Sequence, residues 1–180
     1  MTRFRWYIAG AAIGALVLVG WWATRSTATV SLDLIDTLPT ATQRRPSPEV
    51  FSVIDATLAG VGKRAIYVAE QSRIVWEQEI PDHAWLQVSL GVREEAWQRE
   101  GDGVLFLVGV SHAGRYDELV SLIVNPHANP SDRQWLPLLL DLAPWAGQNV
   151  EIIFNTRVSH PGASSGNHLA LWGQPAVVTR

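Results

Sequence analysis

The sequence predicts an all-β protein: an antiparallel jelly-roll β-sandwich preceded by one N-terminal transmembrane α-helix. Two observations carry this reading. From Trp6 to Ala23 the chain runs for eighteen residues without a charge, with Arg3 and Arg5 before and Arg25 after. From Phe51 onward, short runs rich in Val, Ile, Leu and aromatics follow one another, separated by Gly, Pro, Asp and Asn. Strand-length apolar runs between turn residues, without intervening helices, indicate sheets packed face to face.

The apolar start comes first in the chain. A helix of that length reaches about 27 Å, close to the roughly 30 Å of a bilayer core. Trp6 and Tyr7 mark one end and Trp21 and Trp22 the other, where amphipathic rings favour the headgroup level. The arginine count puts the N-terminus in the cytoplasm and residues 26–180 outside, as a single-pass protein of a bacterial cytoplasmic membrane. A cleaved signal peptide is the rival reading, since Ser26-Thr27-Ala28 supplies small residues at suitable spacing. The two bulky tryptophans and Arg25 next to that cut argue for a retained anchor. Gly10 and Gly14 form a G-x-x-x-G, which lets two helix backbones approach closely in lipid. That face implies packing against a second copy or a subunit of a membrane complex, with the lipid bilayer as the surrounding partner.

Residues 26–50 read as a juxtamembrane connector. Val30-Ser-Leu-Asp-Leu-Ile alternates like a short strand, whereas TLPTATQRRPSPE carries three prolines and no period. Residues 51–180 then form the sandwich. The strand-like runs are FSVIDATL, RAIYVAE, RIVWEQEI, AWLQVSLGV, GVLFLVGV, ELVSLIV, WLPLLLDL, VEIIFNT and LALWGQPAVV. Arg93 to Glu100 is the one candidate helix, short enough to be only a turn.

Composition excludes several function classes. The net charge of −3 and the lack of a basic patch after the anchor argue against nucleic-acid binding. With no cysteine there is no disulfide framework and no thiolate metal site. The histidines show no metal-ligand spacing, and Asn125, Asn129 and Asp132 are too few carboxylates for a calcium site. Gly60-Val-Gly-Lys63 lacks the remaining residues of a phosphate loop. Gly162-Ala-Ser164-Ser-Gly166 matches a nucleophile elbow in letters only, because a strand rather than a helix is expected after it. No catalytic residue, metal or cofactor is therefore assigned.

Four segments together carry a family resemblance. They are Arg64-Ala-Ile-Tyr-Val with Ser72-Arg-Ile-Val-Trp; Ala96-Trp97 with Gly101-Asp-Gly-Val-Leu-Phe-Leu-Val; Asn129-Pro-Ser-Asp-Arg-Gln-Trp135 with Leu140-Asp-Leu-Ala-Pro-Trp-Ala-Gly147; and Ile152-Ile-Phe-Asn-Thr with Gly166-Asn167 and Leu171-Trp-Gly-Gln-Pro175. In this order the chain resembles the bacterial jelly-roll, galactose-binding-like domains that include carbohydrate-binding modules. The resemblance implies binding rather than catalysis. Where members often carry an acid shortly before the final Trp-Gly, this chain has His168-Leu-Ala-Leu, which removes a polar contact near the last loop.

Sugar recognition needs flat aromatic faces and nearby amides or carboxylates for the hydroxyls. Trp97 with Arg93, Glu95 and Asp102 offers that mixture in one loop region. Tyr116 with Asp117, and Asn125, His127 and Asn129 in the following turn, offer another. Trp135, Trp145 and Trp172 lie within apolar alternation and are expected in the core. The expected function is a membrane-anchored, non-catalytic domain that binds a glycan or another cell-envelope component. The alternative is an accessory subunit of a membrane complex.

Overall fold

The computed structural model describes residues 28–160 and 169–180. The expected membrane span with its Gly10 and Gly14, and the Gly162–Gly166 segment, lie outside the described residues. Among the described residues no helix is long and apolar enough to cross a membrane.

Within the unit Val30–Thr179 two sheets face each other. The strands are β1 (Thr29–Asp33), β2 (Gln43–Arg45), β3 (Phe51–Leu58), β4 (Val61–Val68), β5 (Ser72–Glu79), β6 (Ala84–Val92), β7 (Val104–His112), β8 (Arg115–Val124), β9 (Leu136–Asp141), β10 (Asn149–Val158) and β11 (Ala170–Thr179). Sheet I has the order β3-β4-β11-β6-β9, with β1 also paired to β11; sheet II has the order β2-β5-β10-β7-β8. The registers between neighbours along these two paths are antiparallel. From β4 to β7, and again from β9 to β11, the chain crosses from one sheet to the other at each step. This is the all-β sandwich that the alternating runs predict.

Pleating sends successive side chains to opposite faces. On β10, Val150, Ile152 and Phe154 therefore point between the sheets, as do Phe106, Val108 and Val110 on β7. Four rings fill the centre. Phe106 meets Trp172 edge-on at 4.9 Å, Trp172 lies 4.5 Å from Phe154, and Phe154 meets Trp76 edge-on at 5.1 Å. The indole Nε1 atoms of Trp76 and Trp172 are buried without a hydrogen-bond partner, so volume rather than polarity places these rings. Trp145 is partly buried against the same core.

One expectation is corrected. The stretch read as a connector belongs to the sandwich from Val30 onward. Its strand β1 pairs with β11, β2 pairs with β5, and Leu34, Ile35 and Leu38 are buried in the core. The proline-rich stretch hid this because its core contacts come from turns, which carry no period. Asp33 Oδ1 accepts the Ile35 amide at 2.8 Å, turning the chain so that Leu34 and Ile35 point inward. At Arg93–Glu100 the turn alternative holds: a single 3-10 turn spans Glu94–Ala96, after an extended Arg93.

Two bulges reset the alternation. In β11 the register with β6 shifts between Gly173 and Ala176, around Gln174 at φ 45°. Trp172 and Val177 therefore both reach the core despite an odd separation. In the β7–β8 pair, Val108 faces Val120 while Gly109 faces Glu118, which leaves Leu119 as the extra residue.

Candidate functional site

Both sheets have an outer face, and the two are finished differently. On sheet I, Ala56 and Leu58 of β3, Ala65 of β4 and Leu171 of β11 form a second buried cluster with Trp135, which arrives from the turn before β9. The indole lies over two glycines. A Cβ on Gly173 would come within 2.6 Å of Trp135 Cζ3, and one on Gly91 within 3.1 Å of Cε3. Its Nε1 donates to the Val61 carbonyl at 2.8 Å. Ile54, Tyr67 and Trp97 pack around this cluster. Trp97 Nε1 donates to the Val92 carbonyl at 2.9 Å, and the Arg93 guanidinium sits 5.2 Å from the Tyr67 ring centre. Arg93 also pairs with Glu95, whose carboxyl is held below its ordinary value first by a backbone hydrogen bond and further by that arginine. A hollow of about 320 Å³ remains beside Arg93, Glu94 and Glu95, against Leu58 and Leu171.

On sheet II no second buried cluster like that one covers the outside among the described residues. The Leu119 bulge changes the parity of β8, and this brings Tyr116 and Glu118 onto the outer face with Leu107 and Ser111 of β7. Gly109 has no side chain, and the Tyr116 phenol occupies the space one would need. The ring keeps 44% of its surface exposed. Beside it β10 supplies Ile153, Asn155 and Arg157, and β5 supplies Arg73; together they line a hollow of about 310 Å³. Asn155 is 4% exposed, and its Oδ1 accepts from Arg73 Nη1 at 3.3 Å. Burial, and then the Glu118 charge, hold the Tyr116 phenol above its ordinary pKa, while Arg73 and Arg157 pull the other way. At neutral pH the hydroxyl is protonated and can both donate and accept.

The sequence-derived residues are thus dispersed. Tyr116 stands on sheet II. Arg93 and Trp97 border the sheet I hollow. Asn129 lies in the turn before β9, where Oδ1 accepts from the Ser131 amide and hydroxyl and Nδ2 donates to Asp132 at 2.8 Å. Asn125 braces the same loop, with Nδ2 donating to the Gly101 carbonyl at 2.9 Å and its amide donating to Asp132 Oδ2 at 2.8 Å. Asp102 lies beside Gly101 in the loop entering β7. Sequence reasoning missed Arg73, Glu118, Asn155 and Arg157. The available signal was Phe154-Asn-Thr-Arg: an amide and a cation on alternate positions of an otherwise apolar strand. Among the described residues no group of three or more His, Cys, Asp or Glu could hold a metal ion.

No family model matches the chain. A stretch of 100 residues, 54% of the chain, is 39% identical to an uncharacterized protein of Archaeoglobus fulgidus, and spans 25% of that relative's length. Among solved structures, CBM51 from Clostridium perfringens GH95, in complex with methyl-galactose, aligns over 85% of this chain and 100% of its own, with TM-score 0.52 and 15% identity. The structure of the M60 catalytic domain with the CBM51-1 and CBM51-2 domains from Clostridium perfringens ZmpB aligns over 86% of this chain and 15% of its own, with TM-score 0.53 and 14% identity. At these identities the likeness is one of fold.

Proposed function

We propose that this sandwich is a non-catalytic sugar-binding module whose site is the outer face of sheet II. The observation that carries the reading is Tyr116 laid over Gly109 beside a nearly buried amide and a guanidinium. A flat, half-exposed ring offers its face to the C–H side of a sugar, and fixed polar groups at its edge select hydroxyl positions. The fold likeness to a module solved with methyl-galactose supports the same reading. Tyr116 is the platform, and Asn155 and Arg73 are the orienting groups. On sheet I, Arg93 is paired with Glu95 and the Trp97 indole is bonded to the Val92 carbonyl.

The N-terminal apolar segment is proposed to hold this module at a cytoplasmic membrane, on the strength of residues 6–23 alone. Alkaline extraction of membranes tests that part: the full chain should stay with the lipid pellet, and release into the wash would overturn it. The sugar reading is tested by a glycan array with the full chain in detergent. Y116A should abolish retention with the far-ultraviolet spectrum unchanged. Equal retention by Y116A would sink Tyr116 as the platform.

A further inference from the structure

We propose that the guest on the outer face of sheet II is an anionic saccharide, its carboxylate or sulfate held between Arg73 and Arg157 with Arg45 beyond. This rests on the sugar-binding reading and narrows it to a ligand class.

Geometry comes first. The hollow at Tyr116 has a neighbour of about 400 Å³, lined by Arg45, Pro46, Gln71 and Ser72. Arg73, Asn155 and Arg157 border both, so the two hollows meet along those three side chains. The combined groove crosses the strands from β8 to β2. Four inter-strand steps make it about 19 Å long, room for an oligosaccharide rather than a single ring.

Charge decides what lies in it. Arg45 and Arg73 are register partners on adjacent strands, and Arg73 is register partner to Asn155. Arg157 stands two residues further along β10, on the face that Asn155 occupies. Like charges placed directly opposite destabilise a sheet, and a bound anion would offset that cost. Elsewhere in the described residues Arg64 pairs with Asp36, Arg93 with Glu95 and Arg115 with Asp117, while Arg44 and Arg133 donate to the Pro39 and Pro126 carbonyls. Arg73 instead bonds an amide oxygen. The one carboxylate lining the groove, Glu118, stands on β8 at the Tyr116 end. Residues 1–27 and 161–168 contain no Asp or Glu that could supply another. A protein of net charge −3 thus places three guanidiniums, Arg45, Arg73 and Arg157, along these two hollows with no ion pair to an acid among the described residues.

The chemistry follows. A guanidinium presents paired N–H donors that match two oxygens of a carboxylate or sulfate, and such charge-assisted bonds are about twice as strong as neutral ones. With Oδ1 of Asn155 engaged by Arg73, the amide's N–H donors remain for a sugar hydroxyl. Tyr116 stacks one ring of the chain while the arginines hold the acid on another. Glu118 disfavours an acidic group at the Tyr116 end, which sets the direction of the bound chain.

The test is calorimetric titration of the full chain in detergent with three oligosaccharides of one backbone: neutral, uronate-bearing and sulfated. At least one acidic form should bind about tenfold tighter than the neutral one, and raising salt from about 50 to about 500 mM should erode that margin. Whichever acidic form binds identifies the acid. R157Q, at an exposed position, should remove most of the preference, read as the ratio of acidic to neutral affinity. Equal affinity for all three forms, or an acidic preference untouched by R157Q, overturns the anionic proposal and leaves the sugar-binding reading standing. No binding of any form, neutral included, overturns both.

Discussion

The two outer faces begin alike and finish differently. Each sheet has a small residue at a central outward position, and each lays an aromatic ring over it. On sheet I the ring is Trp135, spanning Gly91 and Gly173, bonded to the Val61 carbonyl and left only 7% exposed. On sheet II it is Tyr116 over Gly109, 44% exposed and flanked by arginines, an amide and a glutamate. Leu58, Ala65 and Leu171 complete the first face into a second core; around Tyr116, charged and amide side chains stand beside Leu107 and Ile153. An aromatic ring over a glycine is therefore not itself a binding signal. The surroundings of the ring separate a structural plug from a platform.

Perturbing the plug should have the largest effect. Trp135→Ala empties the second cluster and should cost about 3–5 kcal/mol, read from the denaturation midpoint. Binding per folded molecule should stay unchanged. If binding falls and the midpoint holds, the two faces have been assigned the wrong way round.

Tyr116→Ala should do the reverse. Sugar affinity should drop by about tenfold or more, while the stability change stays near 1 kcal/mol for a half-exposed ring. Trp97→Ala then sharpens the contrast on sheet I. It should lower stability by about 1–2 kcal/mol through lost packing and the bond to Val92, with no change in sugar affinity. A loss of affinity equal to that of Y116A would restore Trp97 as a platform.

The smallest effect is spectroscopic. Because burial raises the Tyr116 phenol above its ordinary value, its ultraviolet titration midpoint should lie above that of an exposed tyrosine, near 10. A raised acid favours the protonated folded state, so its stabilisation is complete below the unfolded value and fades as pH climbs through the folded one. Gly109→Ala, which pushes the ring off its seat, should bring the midpoint back down. No shift between wild type and Gly109→Ala would mean that the ring does not rest on Gly109.

Much of the sandwich was legible in the residues. The apolar runs from Phe51 onward became strands, and Trp135 and Trp172 are buried as their alternation implied. The candidate site was legible only at Tyr116. Arg73, Asn155 and Arg157 sit on strands far apart in sequence, and only the β5–β10–β7 register puts them beside Leu107 and Tyr116. Ile123, register partner of Leu105, shares the outer face with Tyr116, yet the two differ by an odd number of positions, which a regular strand would place on opposite faces. The extra residue in β8 changes that parity, and no residue type announces it.

The sequence by itself determined where strands form and which side chains seek the interior, because both follow from local alternation on a pleated backbone. Tertiary structure decided which outer face carries a buried indole and which a half-exposed phenol. That choice rests on Trp135 reaching Val61, 74 residues away, and on one bulged residue in β8. Contacts closed over such distances are set by register and packing, and these exist only once both sheets have formed.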